Sequence, residues 1–471
     1  MLPRPFRLSL SALLCASAAE ALAFGAIDPF STATATPPRP ALFPSSDGVY
    51  QPCQPLPAGA TYGVIEVVDL TLCQNPKTQE SWANARAQAA QVGVAQSAYL
   101  PDLDGKAGRS RIHTDSEKTT TSTASLTLSW LLFDSGARSA NLENARQLLS
   151  AAASTLDATV QSVFFSTLQA YYNTQAARAA VVAAQESEKA SRESLTAAEV
   201  RYRVGTATPA DRLQAQTAWS QATLNRIKAE GIVKIAYGTL ANVMGLDANH
   251  ALQLANIPDS TPNATFERDI EALIAEARQR RPELKAAEAQ LKAAQSSIDS
   301  ARASGLPTLS LSTGPSWVNT GSQTTRGDTI GLTLSVPLFS GFETTYKVRS
   351  AQAKAEAAGA QRDTINQQIA LDVWNAYQSL TTATQTIRTS TDLQTSAEQS
   401  ERVALGRYKA GVGNILDVLN AQSALAAARL QRIQALLDWH VSRAALAKAV
   451  GSLDSSLLNQ YSGNAPGTPT P

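Results

Sequence analysis

Residues of this chain recur at one fixed interval. Pro76 and Pro282 lie 206 positions apart, as do Leu100 and Leu306, Leu126 and Leu332, Phe133 and Phe339, Tyr171 and Tyr377, Gly205 and Gly411, Asp211 and Asp417, and Gly245 and Gly451. An offset that survives loops as well as helices marks a duplicated unit. The chain must fold as two structurally equivalent halves, so each element predicts a counterpart.

The halves share a turn, RYRVGTATPADRLQAQ at 201–216 and RYKAGVGNILDVLNAQ at 407–422. Gly205 and Gly411 suit the left-handed residue just past a helix end. Thr208, Pro209 and Asp211 then spell an N-cap, a first-turn proline and a capping box; Asn414 and Asp417 take the cap and third positions in the second copy. Each turn joins two antiparallel helices. The helix leading into the first runs from about 137 to 203, with Leu142, Ala145, Leu149, Ala152, Leu156, Val160 and Val163 stepping by three or four as in a coiled-coil seam. At 1.5 Å per residue it spans roughly 100 Å. The return helix covers Pro209–Met244 and stops at Gly245.

Ahead of the long helix, Val64–Ser97 reads as helical with a break at Asn75-Pro76. Leu103–His113 and Ser122–Phe133 read as strands joined by a polar loop, Thr114–Thr121. Leu126, Leu128, Trp130 and Leu132 alternate with Thr127 and Ser129, the period of a half-buried strand. Thr329–Phe339 repeats this pattern, with Pro337 near its end. The expected organisation is a signal peptide at 1–23, a Pro-rich leader without regular structure at 24–63, a first repeat at 64–245, a linker at 246–265, a second repeat at 266–451 and a flexible tail at 452–471.

The N-terminus carries Arg4 and Arg7, an apolar run Leu8–Ala18 and the A-x-A site Ala21-Leu22-Ala23, the pattern of an export signal with Phe24 as the first mature residue. Leu14 ahead of Cys15 is too large for lipoprotein processing. Cys53 and Cys73 remain; in an exported chain they read as one disulfide, with two free thiols as the alternative. No later stretch holds ~18 uninterrupted apolar residues. A net charge of +1 gives no electrostatic case for nucleic acid. Three scattered histidines and the absence of any nucleophile or phosphate-loop motif argue against an enzyme, a metal site or a cofactor.

Four strands cannot enclose a channel, and an open apolar sheet would leave edges that lipid does not tolerate. Three chains sharing one barrel would supply twelve strands, an even number typical of such barrels. The long helices must then project to one side of the membrane. The fold expected is α+β: two repeats, four β-strands per chain in a twelve-stranded barrel shared by three chains, and long α-helical coiled coils projecting to one side.

The paired strand-to-helix junctions LTLSWLLFDSG (126–136) and LTLSVPLFSG (332–341), with the two turns above, resemble the TolC family of outer-membrane efflux proteins. The resemblance runs from about Val64 to Gly451. It implies a homotrimer with a twelve-stranded outer-membrane barrel and a long α-helical periplasmic tunnel, a passive exit duct for type I secretion or multidrug efflux, served by a periplasmic adaptor and an inner-membrane pump. PCQPLP (52–57) and LCQNP (72–76) look like the branch that secretes repeat-toxin proteins. The resemblance places a periplasmic gate at Asp211, Tyr408, Asp417 and Asn420, and adaptor contacts at Val204, Gly205, Thr206, Ala410, Gly411 and Val412. Gly413 and Asn420 depart from the pattern, where an arginine and a second aspartate are expected. Helix capping by Asp211 and Asp417, coiled-coil packing by Tyr202 and Tyr408, and turn formation by the glycines are the competing structural readings. Trp130, Phe133, Phe339 and Phe342 read either as an aromatic belt or as residues buried between barrel and helices. Tyr171, Tyr172, Trp374 and Tyr377 read as packing. The alternative for the whole chain is a non-porous periplasmic coiled-coil scaffold.

Overall fold

A computed structural model describes residues 28–40, 53, 61–114, 117–255, 269–321 and 323–453. The signal segment, most of the leader, much of the linker and nearly all of the tail lie outside the described residues. The elements in order are β1 (Thr61–Tyr62), α1 (Val64–Gln74), α2 (Pro76–Ser97), β2 (Asp102–Thr114), β3 (Glu117–Phe133), α3 (Ala137–Arg203), α4 (Pro209–Val243), β4 (Gln253–Leu254), α5 (Ile270–Arg280), α6 (Pro282–Ala303), β5 (Thr308–Asn319), β6 (Thr324–Ser335), α7 (Glu343–Lys409) and α8 (Ile415–Val450). Both long helices, α3 and α7, have 67 residues. One 18-residue window of α3 is apolar enough by composition to cross a membrane, although polar residues interrupt it. Val163, Phe164, Leu168, Tyr171 and Tyr172 of this helix are buried in the protein's own core.

The chain divides into two compact units. The first contains Ala83–Ala153 and Glu288–Gly359. Its centre is an antiparallel four-stranded sheet in the order β2-β3-β5-β6. The strands differ from expectation. The Thr/Ser run that reads as loop is strand: β2 and β3 pair from Asp102↔Ser129 to Thr114↔Glu117, leaving only two residues between them. Threonine is β-branched and suits a pleated surface, so polarity alone did not break the ladder. Conversely, β6 starts earlier, at Thr324, and stops at Ser335, two residues before Pro337. Proline has no N–H to donate, and it disfavours continuation more strongly than the apolar alternation favours it.

The second unit contains Arg39–Trp82, Ser154–Ala287 and Ala360–Pro471. Its two principal cores obey the repeat. Val67, Val163, Leu240 and Met244 are buried in one; Leu273, Ile369, Leu446 and Val450, each 206 positions on, are buried in the other. Each such side chain contributes about 1.5–3 kcal/mol through burial. Tyr171 and Tyr172 pack as expected, whereas Trp374 is half exposed in the single chain.

The leader has local order that its composition conceals. Asp28 accepts a bond from the Ala33 amide at 2.8 Å and caps a series of turns through Thr36. The Arg39 guanidinium lies 5.5 Å above the Trp82 ring. Cys53 and Cys73 are joined, with Cα atoms 5.5 Å apart, and the buried Asp69 carboxylate accepts from the Cys53 amide at 2.8 Å. The parallel pair β1–β4, two residues on each side, ties the entry of the first repeat to its exit; strands this short carry no period to read.

His440 on α8 stacks on Tyr172 at 4.5 Å and meets Trp439 edge-on at 4.9 Å. Burial, with the Arg443 charge adding to it, pushes the imidazole down to about 4. The unfolded chain therefore takes a proton near the usual 6.5 that the folded chain refuses. The stability this site contributes is complete above about pH 6.5 and is lost as pH falls towards 4, some 3 kcal/mol over that window. Acid unfolding followed by circular dichroism should show this slope, and His440→Gln should flatten it.

Candidate functional site

Two features stand out: the faces of the sheet and the pair of helical turns. The register places Leu126, Leu128 and Trp130 of β3 beside Leu103 and Gly105 of β2 and beside Leu311 and Thr313 of β5; Leu309, Leu311 and Thr313 face Leu334, Leu332 and Ile330 of β6. These residues form one apolar face. The other face carries Ser125, Ser129, Ser310, Ser312, Ser316 and Thr333, with Asp102, Asp104 and Lys106 on β2. A sheet apolar on one side and hydroxyl-rich on the other, with β2 and β6 as its edges, can separate lipid from a watery lumen if its edges are paired.

The strands meet the long helices at two junctions with matching backbone. Ser135 and Gly136 have φ of 55° and 95°; their counterparts Gly341 and Phe342 have 63° and 66°. At the first junction Asp134 is buried. Its carboxylate accepts from the Gly136 and Arg138 amides and from Arg138 Nε at 3.1 Å. Arg138 also donates to the carbonyls of Ala98, Leu131 and Leu132 and covers the Tyr99 ring at 4.9 Å. Trp130 Nε1 donates to the Tyr99 carbonyl at 3.0 Å. Trp130, Phe133, Phe339 and Phe342 are all exposed on the single chain. That leaves the belt reading intact and shows no burial of these residues within the chain.

The turns are built alike. Gly205 and Gly411 have φ of 77° and 84°. The Thr206 amide returns to the Arg201 carbonyl at 2.8 Å, and the Val412 amide to the Arg407 carbonyl at 3.0 Å. Thr208 caps α4 in a full capping box with Asp211. Asn414 caps α8 by accepting from the Leu416 amide at 3.2 Å. Val204, Gly205, Thr206, Ala410, Gly411 and Val412 are exposed on the two loops, Val204 and Val412 as bare apolar side chains.

The expected gate residues do not form one network within the chain. The Asp211 carboxylate bonds to the Thr208 amide and hydroxyl at 2.8 and 2.9 Å. Asp417 and Asn420 are exposed, three residues apart on α8. Tyr408 is only 4% exposed, packed with Leu195, Ala198, Ala215, Ile415 and Val418. Its hydroxyl has no hydrogen-bond partner among the described residues. Tyr202 stays on the surface under the Arg212 guanidinium, 5.2 Å away.

Comparison with known proteins agrees with this arrangement. The outer membrane efflux protein family matches twice, at 67–246 and 273–452, again 206 residues apart. The chain belongs to this family. It is 32% identical over 426 residues to protein CyaE of Bordetella pertussis, covering 88% of this chain and 90% of that one. It is 26% identical over 441 residues to the alkaline protease secretion protein AprF of Pseudomonas aeruginosa, covering 87% and 88%. The crystal structure of CusC shares the fold, with a TM-score of 0.74 and 20% identity over 88% of this chain and 98% of that one. The protein is thus an outer-membrane exit duct for export, in a family of transport channels. A non-porous scaffold accounts for the helices but not for a two-faced sheet in a chain of this family.

Residues that spacing did not reveal are Asp134 and Arg138 at the strand–helix junction and Arg201 at the tip. Asp134 meets backbone amides and Arg138, while the two arginines meet backbone carbonyls and ring faces, which no local motif announces.

Proposed function

We propose that three copies of this chain close a twelve-stranded barrel, and that the helical tips form a gate opened by a periplasmic adaptor coupled to an inner-membrane pump. The observation that carries this reading is the sheet: one apolar face, one hydroxyl face, and two edges that a single chain leaves unpaired. Pairing β2 of one copy with β6 of the next would satisfy both edges. Asp417 and Asn420, exposed beside the second turn, are the groups that threefold symmetry would gather around the mouth, with Asp211 and Tyr408 supporting the turns behind them. The exposed Val204–Thr206 and Ala410–Val412 offer small and apolar surfaces to an adaptor hairpin. The cargo we favour is a secreted polypeptide. The similarity to AprF over most of both chains supports this, together with the leader resemblance at 52–57 and 72–76.

The test is the native mass of the protein extracted from outer membranes in mild detergent. A mass of three chains is expected. A single chain, or recovery in the soluble periplasm, would overturn the shared barrel.

A further inference from the structure

The tip contains an element that the expected gate set does not include. Arg201, in the last turn of α3, holds its guanidinium 4.5 Å above the ring of Tyr408, in the last turn of α7. A Cβ at Gly411 would lie 3.3 Å from Arg201 Nη2, so this arginine reaches from the first turn to the second. A cation over an aromatic face is attracted by the ring quadrupole, more strongly where the ring is shielded from water. Tyr408 is so shielded, and its hydroxyl is unpartnered. Within the chain, the ring face is the part of Tyr408 that meets a partner across the two turns.

Gly413 explains why the cation comes from the other helix. A Cβ there would stand 2.9 Å from the Tyr408 amide nitrogen and 3.0 Å from the Arg407 carbonyl carbon. Both are backbone atoms, so the loop is folded too tightly to carry any side chain at 413. An arginine cannot serve the second turn from that position without moving the backbone.

We propose that Arg201 is a positioning residue of the gate: it clasps the end of α7 to the end of α3 through the Tyr408 ring and holds the tip at rest. The clasp lies within one chain and spans the ends of two helices that lead into different turns. Opening that separates the two turns must break it. This rests on the gating reading above.

The experiment compares single-channel conductance of Arg201→Gln, Arg201→Lys, Tyr408→Phe and Tyr408→Leu in planar bilayers. Arg201→Gln and Tyr408→Leu should shift the tip towards the open state by about 2- to 30-fold, the span of one cation–π contact. Arg201→Lys should fall between. Tyr408→Phe keeps the ring and should match the wild type. If Tyr408→Phe opens the channel while Arg201→Gln does not, the lock is a hydroxyl hydrogen bond and the clasp is wrong. The coupling also has a readout that needs no channel. In limited proteolysis of the purified protein, Arg201→Gln and Tyr408→Leu should each speed cleavage at the turns, and the double variant should add nothing to the single ones. Additive effects would overturn the clasp. Wild-type protein that forms no channel yet shows this coupling would sink the gating reading and leave the clasp standing.

Discussion

Gly314→Ala is expected to remove this protein from the outer membrane, while Gly331→Ala leaves it in place. Both glycines lie in the four-stranded sheet on its hydroxyl face. At Gly331 an added Cβ meets only the Ser312 hydroxyl, at 3.5 Å, an ordinary contact. At Gly314 it would lie 2.9 Å from the Leu126 carbonyl carbon, closer still to its oxygen, and 3.1 Å from Thr127 Cα. These are backbone atoms of β3, so no rotamer change relieves the clash. The ladder explains the pinch. Ser125 pairs with Ser316 and Leu128 with Thr313, but Leu126 and Thr127 are skipped opposite Pro315 and Gly314. Pro315 has no amide to give, and the strands close in on the glycine instead. Overpacking a well-packed site costs about 1–3 kcal/mol even where side chains can move; here the backbone of the central strand pair must separate. Membrane fractionation with an antibody to the protein reads the outcome. Equal membrane levels of the two variants would show that the pinch is not required.

That pinch lies in an element whose existence was legible and whose details were not. Alternation in Leu126–Leu132 and Leu332–Leu338 announced strands because one face avoids water and the other does not. The same reasoning failed at 114–121, where both faces are polar, yet threonines pair across the ladder to Thr114↔Glu117. It also overran at Pro337, where the apolar pattern continues but the proline has no N–H for the ladder and the strand ends at Ser335. The long helices were legible to their ends because the stop signals are local: Gly205 and Gly411 in the left-handed region, and Thr208 and Asn414 as caps.

The site divides in the same way. The turns were placed correctly because they are short-range chemistry written twice. The capping box of Thr208 and Asp211 was legible with them, whereas contacts that cross two helices were not. Asp211 spends its carboxylate on Thr208, and the buried Tyr408 ring meets Arg201. The repeat even disguises the junctions. Ser135-Gly136 and Gly341-Phe342 adopt the same backbone with the glycine exchanged between positions. Holding Phe342 there, with its side chain, costs on the order of 1–2 kcal/mol.

Asp134→Ala should destabilise the first junction more than any exposed ion pair in the chain, by about 3–5 kcal/mol. The side chains of Asp134 and Arg138 are 10% and 12% exposed, and the pair has no equivalent in the second repeat, where Ser340 and Thr344 stand. Asp134 does two things at once. It caps the first turn of α3 through the Gly136 and Arg138 amides, and it neutralises a guanidinium that is otherwise held by carbonyls and the Tyr99 ring. Removing the carboxylate leaves a buried cation with its dipolar partners and no counter-charge. Removing both charges with Asp134→Asn and Arg138→Met avoids that state, since two apolar or neutral groups of similar size are tolerated better than one orphaned charge. The double variant should therefore recover part of the loss, although Arg138 no longer joins the Ala98, Leu131 and Leu132 carbonyls. Thermal unfolding in detergent of the two single variants and the double gives the coupling directly. A double variant that simply sums the single losses would mean that the arginine acts through its carbonyl bonds alone. The junction would then be held by hydrogen bonds between α2, β3 and α3, with charge pairing incidental.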